Sequence, residues 1–335
     1  MRKQYLLLLI ATVASLQSFS NAAMPGMWET GHGSRFIPLF RADSIHFGKI
    51  QMKKELVMIN LYPGFAAVKG EYWMYNTTAA PITLRVGYPV NGRYDHPLVD
   101  NVMFNDLYAL QVKVNDQQVD VKRPAEGYDS VHRALDHLQM QNWYYWTCTF
   151  APGQITKLTV YFLTNNSEAG LRKGYGVDEG NAFAYILETG RAWAGKIEEG
   201  QVLIRLNNGL DLKDIRGIYP GKIFYGDDKH LRYTFTNLEP DSSHNILLWY
   251  DQDKAKGLEF DKITASAPQY FAALDRFPLS EFNDASFRQV DKTDFRTHNS
   301  GLTWLWVMLT MVVVIGLAVI AGVIYLIYRL MRRSR

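Results

Sequence analysis

Residues 142–163 read NWYYWTCTFAPGQITKLTVYFL. Aromatic and β-branched residues alternate with others on both sides of Ala151-Pro152-Gly153-Gln154, a turn sequence. The stretch predicts two strands joined as a hairpin and sets the fold class as β. Period-two alternation puts Tyr144, Trp146, Cys148 and Phe150 on one face of the first strand. Cys148 and Trp146 are expected in a core, the cysteine as a small buried residue and not a nucleophile. Trp143 and Tyr145 fall on the opposite face. They are candidates for a binding surface, where flat amphipathic rings stack on a sugar or cap a partner.

The same pattern extends in both directions. Upstream, residues 55–61, 65–76, 82–89, 107–115 and 119–122 read as strands, with Pro63-Gly64 turning the first into the second. Between them and the opening stretch, Ser130 is placed to cap a helix over 131–141 with Val131, Leu135 and Leu138 on its apolar face. Downstream, residues 164–181 (TNNSEAGLRKGYGVDEGN) are rich in Gly, Asn and charge and read as a loop between domains. A second block follows, with strands at 182–189, 200–207, 212–219, 222–226, 230–237 and 244–251, where Trp249 is expected in the core. The expected architecture is mainly β. Two Ig-like β-sandwich domains, 23–165 and 181–252, flank a linker at 166–180, with one short helix inserted in the first. Residues 253–302 read as a juxtamembrane stalk with a helix from Pro268 to about Phe277.

The two ends set location. From Thr303 to Tyr328 there is no Asp, Glu, Lys, Arg or His, and about 20 apolar residues suffice to cross a bilayer. Trp304, Trp306, Tyr325 and Tyr328 sit where aromatic belts form. Arg329, Arg332, Arg333 and Arg335 make residues 329–335 a basic tail, so the tail is expected in the cytoplasm and the β-domains outside. At the other end, Arg2 and Lys3 precede an apolar stretch and the small-residue site Ser20-Asn21-Ala22, the layout of a secretory signal peptide over 1–22. The expected location is a bacterial inner membrane, single-pass. The chain carries a net +3, but six of its 36 basic residues and none of its 33 acidic ones lie in these ends. The exported part is therefore slightly acidic, which argues against nucleic-acid binding. With one cysteine it makes no internal disulfide.

Three stretches carry a resemblance. GFAAVKGEYWMYNTTAAPITLRVGYPV (64–90), YYWTCTFAPGQITKLTVYF (144–162), and the pair AYILETGRAWAGKIEEGQVLIRL (184–206) with LRYTFTNLEPDSSHNILLWY (231–250) resemble a family of exported bacterial proteins of unknown function. The resemblance covers residues 45–251. It implies a signal peptide and a β-rich ectodomain, and it carries no activity or site residues.

Motifs with chemistry are few. The chain has no Gly-x-Ser-x-Gly, no His-Glu-x-x-His and no Cys-x-x-Cys. His132, Asp136 and His137 have ligand-like spacing but lie off the apolar stripe of their helix, as solvated residues do. Residues 251–259 (DQDKAKGLE) start like a calcium loop, then place lysines where oxygen ligands are needed. Gly174-Tyr175-Gly176 lacks the setting of a phosphate loop. Asp178 and Glu179, with Glu188 beyond, are the carboxylates from which a glycosidase pair would be drawn. No metal or cofactor is expected. The leading reading is a non-enzymatic interaction or scaffold module binding another envelope protein. The alternative is a carbohydrate-binding module or glycoside hydrolase acting on envelope polysaccharide, with Trp143, Tyr145, Asp178 and Glu179 at its surface. A third layout, a surface protein whose tail is a sorting signal, shares the same C-terminal pattern.

Overall fold

The computed structural model describes residues 22–23, 25–29, 35–38, 40–89, 93–96, 99–103, 106–123, 143–167, 169–173, 176–250, 255, 257–283, 285–293, 295 and 301–333. The first strands are β1 (Gly26–Glu29), β2 (Arg35–Pro38), β3 (Ile50–Tyr62), β4 (Phe65–Asn76), β5 (Ile82–Pro89), β6 (Arg93–His96), β7 (Val99–Met103), β8 (Tyr108–Val114) and β9 (Gln117–Val119). Then come β10 (Trp143–Phe150), β11 (Ile155–Asn165), β12 (Ala169–Lys173), β13 (Gly176–Tyr185), β14 (Ile197–Leu206), β15 (Ile215–Tyr219), β16 (Tyr225–Gly226), β17 (His230–Leu238) and β18 (Ile246–Tyr250). Helices α1 (Phe260–Ala265) and α2 (Ala267–Asp275) precede β19 (Arg288–Gln289), and α3 (Gly301–Arg333) follows it. The expected helix over 131–141, with His132, Asp136 and His137, lies outside the described residues, as do residues 174–175 and 251–254.

The protein is mainly β, but its strands do not divide into two sandwiches. Nine form one mixed sheet in the order β19-β16-β17-β14-β3-β4-β11-β8-β9, and six form a second in the order β15-β18-β13-β12-β7-β6. In the large sheet β14 runs parallel to β3, from Glu199 beside Lys54 to Leu206 beside Leu61. Strands from both halves of the sequence thus share one sheet, and the core is continuous across the expected domain boundary. The expected linker is part of it: β12 and β13 form a hairpin there, with Ala169 beside Gly180 and Lys173 beside Gly176.

The opening stretch folds as two strands but not as a hairpin. β10 pairs with β5, from Trp143 beside Pro89 to Phe150 beside Ile82. β11 pairs with β4 and β8 in the nine-stranded sheet. The turn at 151–154 therefore carries the chain from one layer to another, and the turn from β4 to β5 does the same. Asn76, 1% exposed, ties the two crossings together. Its side-chain amide donates to the carbonyls of Ala80 (2.8 Å) and Phe150 (2.9 Å), and its Oδ1 accepts from the Thr78 backbone N–H (2.9 Å). Trp146, Cys148 and Phe150 of β10 join Leu158, Val160 and Phe162 of β11 in one core, contributing to it from two layers. Alternation reports that a strand has an apolar face, not which strand lies beside it.

From Glu55 to Tyr62, β3 is buried at every position. Val57, Ile59 and Leu61 enter the main core on one face. Leu56, Met58 and Tyr62 enter a second cluster on the other, under α2. A strand covered on both faces reads as a continuous apolar run. The cover is the expected stalk. Pro268 does open a helix, which positions Ala267, Phe271 and Leu274 on one stripe against Leu56, Met58, Tyr161 and Leu163. Tyr270 meets the rings of Tyr62 (5.4 Å) and Phe65 (5.3 Å) edge-on. Asp275 closes the far end, accepting from Lys69 Nζ (2.9 Å) and the Tyr161 hydroxyl (2.6 Å). The segment before α3 is thus docked on the sheet.

Within α3, Trp306–Arg333 is long and apolar enough to cross a membrane, and none of its most apolar window is buried in the protein. At about 1.5 Å per residue its 28 residues span roughly 40 Å, more than a hydrocarbon core of about 30 Å.

Candidate functional site

The outer face of the nine-stranded sheet changes character along its strands. Strand β4 shows why. Its alternation sends Val68, Tyr72 and Met74 inward and Lys69, Glu71, Trp73 and Tyr75 outward. The register places partners beside them in rows. Lys54 and Lys157 flank Trp73, Leu56 and Thr159 flank Glu71, and Met58 and Tyr161 flank Lys69. On β8, Lys113 sits beside Thr159. α2 covers the apolar rows and its end reaches the Lys69–Tyr161 row, and the rows of Trp73 and Tyr75 stay outside its footprint.

Together these rows form a lattice of ammonium groups and rings that runs out from under the end of α2. Lys54 Nζ lies 5.3 Å and Lys157 Nζ 5.4 Å from the Trp73 ring centre. Lys53 Nζ is 5.3 Å from the Tyr75 ring, and Lys69 and Lys113 are each 5.4 Å from the Tyr161 ring. Such contacts draw a cation to the negative face of a ring. Glu71 bridges Lys157 (2.9 Å) and Lys69 (3.4 Å), and Glu198 pairs with Lys53. Burial pulls the Lys69 pKa down, but the bonds and charges of Asp275, Glu71 and Tyr161 outweigh it and hold it above the ordinary value. The irregularity between Met52 and Lys54 inserts Lys53 as an extra residue in β3, so two consecutive lysines reach this surface. Five lysines face four carboxylates (Glu71, Glu198, Asp275 and Glu199, which lies beside Lys54 in the register). Among the described residues, Lys54 and Lys113 have no carboxylate within ion-pair distance. Ile155, 47% exposed, extends the patch beside Tyr75.

The inner face holds a different polar group, wholly buried. The Tyr185 hydroxyl donates to Glu55 Oε1 (3.0 Å). Its one proton being used there, Tyr185 accepts from Tyr72 (2.9 Å), and Tyr72 in turn accepts from Tyr88 (3.2 Å). Burial pushes the pKa of all three tyrosines up. Gly70 makes room for the chain: a Cβ there would stand 2.2 Å from the Tyr72 oxygen. With four fully buried members from β3, β4, β5 and β13, this network ties the layers together.

A second buried carboxyl, Glu188, sits in the 3-10 turn after β13. Its backbone N–H donates to Asn245 Oδ1 (3.1 Å), and Asn245 Nδ2 donates back to Glu188 Oε2 (3.2 Å). Burial raises its pKa to about 7, and the Asn245 bond offsets part of that rise.

The sequence candidates are dispersed. Trp143 is 5% exposed, and so is not a surface residue. It lies over Gly87 next to Pro25, where the N-terminal segment crosses the layer. Tyr145 is half-buried, its ring 4.9 Å from that of Phe40. Asp178 and Glu179 are neighbours on β13 and project to opposite faces, Asp178 buried and Glu179 exposed. They do not form a facing pair of carboxylates. Cys148 is buried as expected, and burial pushes its thiol up to about 12. Trp73 and its lysines were not singled out by sequence reasoning. The polar-aromatic alternation of KGEYWMYN carried half the signal, and the other half lay in strands far away in sequence.

No family model matches the chain, and no curated protein does. Solved structures similar to it include a protein of Legionella pneumophila provisionally described as nutrient-binding: 14% identity, 70% of this chain and 72% of that one, TM-score 0.42. Others are an M1 zinc metallopeptidase of Deinococcus radiodurans (11%, 61% and 43%, TM-score 0.31) and yeast LTA4 hydrolase (8%, 61% and 29%, TM-score 0.35). The chain spans less than half the length of the two enzymes. Likenesses of this size carry no argument about function.

Proposed function

We propose that the chain is a membrane-anchored, non-enzymatic contact module. The uncovered outer face of its large sheet binds an acidic partner protein of the cell envelope. The observation that carries the reading is the gathering of Lys53, Lys54 and Lys157 around Trp73 and Tyr75 on the part of the sheet face that α2 leaves open. Aromatic rings supply apolar area, and ammonium groups on short tethers supply steering and register. The export reading belongs to the same proposal. In it, α3 anchors the protein in a bacterial inner membrane, the arginine tail is cytoplasmic, and the β-sheets face the periplasm, as in the exported family that the sequence resembles.

The alternative ligand, an envelope polysaccharide, meets one obstacle in the geometry. Sugar stacking needs an open ring face, and the Trp73 ring already has Lys54 and Lys157 against it. An acidic protein engages those lysines where they stand. The test is co-purification from intact membranes, with the wild type against Lys54→Glu/Lys113→Glu. The expected result is a defined partner that is lost on charge reversal and on raising salt, with the β-fold unchanged. A partner retained by the reversed variant would refute the surface assignment.

A further inference from the structure

The export reading leaves open where the leader ends, and the fold speaks to that point. Two small-x-small registers, Ser18-Phe19-Ser20 and Ser20-Asn21-Ala22, and a third with asparagine in the first place, Asn21-Ala22-Ala23, lie within six positions. They would start the mature chain at Asn21, Ala23 and Met24. From sequence alone the second is the natural choice.

Ala22 and Ala23 are built into the core. Both are within 1% of complete burial. The Ala22 carbonyl accepts from the Trp193 indole N–H (2.8 Å), and Trp193 is itself 4% exposed. Ala23 extends the small β5–β10 sheet by one rung, its N–H donating to the Gly87 carbonyl (3.0 Å) and its carbonyl accepting from the Gly87 N–H (2.8 Å). Pro25 then lies against Gly87, where any Cβ would stand 2.7 Å from the proline ring. A glycine is needed at position 87 for the N-terminal segment to come this close. Trp193 is fixed from the other side as well, since the next residue's N–H donates to the Ile50 carbonyl (2.7 Å).

Each register has a distinct consequence. Cutting after Ala22 removes the acceptor of a buried indole N–H and places the new α-ammonium on the residue that forms the rung to Gly87. Cutting after Ala23 removes both rungs to Gly87 as well. Cutting after Ser20 keeps the Ala22 carbonyl, keeps Ala23 as an ordinary amide, and sets the new charge two residues before the rung.

We infer that the processing site is the Ser20–Asn21 peptide bond and that residues 22–25 are a structural strap of the mature protein. In the step, a leader peptidase adds water across that bond, leaving a carboxylate on Ser20 and an ammonium on Asn21. The inference rests on the export reading, and its test separates the two. The full chain is purified from membranes and its first residue read by N-terminal sequencing and intact mass. A start at Asn21 is the expected result. A start at Ala23 or later overturns the inference while leaving export intact, and a start at Met1 overturns both. In parallel, Trp193→Phe removes the indole N–H together with part of the buried ring. Its melting temperature is expected to fall by several degrees, and an unchanged melt would show that Ala22 is not held as described.

Discussion

The two faces of the nine-stranded sheet handle polar groups in opposite ways. On the inner face, Glu55 and three tyrosines are sealed from water, and each hydroxyl is committed to a neighbour. On the outer face, lysines stand over rings at distances above 5 Å, and two of them lack a carboxylate among the described residues. The inner arrangement is sealed and loses stability if a member is removed. The outer one has capacity left over and loses little. A surface that tolerates change in the free protein, yet keeps charge and aromatic area together, is free to be shaped by a partner. That contrast, and not a catalytic constellation, is the basis for reading the protein as a contact module.

The contrast can be broken in four places. The largest effect is expected where the outer face is covered. Phe271→Ala should cost about 4 kcal/mol by emptying the seat of α2, and hydrogen exchange should rise across α1 and α2 before the sheet opens. On the inner face, Tyr185→Phe strips Glu55 of a donor and Tyr72 of an acceptor, at a cost of about 3 kcal/mol, read from chemical denaturation in detergent. Smaller is the effect of Glu188. Its pKa is about 7 in the fold against an ordinary 4.5, so the unfolded chain gives up its proton first. Stability therefore falls as pH rises from about 4.5 to 7 and then levels off. Glu188→Gln should flatten that profile, gaining stability at pH 8 and nothing at pH 4. The smallest change is expected at Lys54→Glu, within about 0.5 kcal/mol of wild type. If that variant melts like Tyr185→Phe, the two faces are not different in kind.

Much of the fold was legible, and what was hidden has one cause. The strands at 65–76, 82–89 and 230–237 were readable because period two is local. The pairing of β10 with β5 was not, because partner choice depends on residues some sixty positions apart. The β12–β13 hairpin was mistaken for a loop on its glycines. Gly180 is there because the Trp249 ring lies across it, at 2.5 Å from where a Cβ would stand. The α2 stripe of Ala267, Phe271 and Leu274 was visible as a helix. Its seat was not, since Leu56, Met58 and Leu163 look in sequence like any core residues. The candidate site was hidden for the same reason. Trp73 announces an aromatic on a strand, but Lys54 and Lys157 reach it from two other strands.

The most direct test places a photo-reactive side chain at one position at a time in the full chain, in living cells. Position 54 reports the open outer face, and position 147 reports the exposed face of β10, where Thr147 projects away from the core. The account predicts a discrete cross-linked product from position 54, absent when Lys113 is also changed to Glu, and no product from position 147. A product from position 147 with none from position 54 would contradict it.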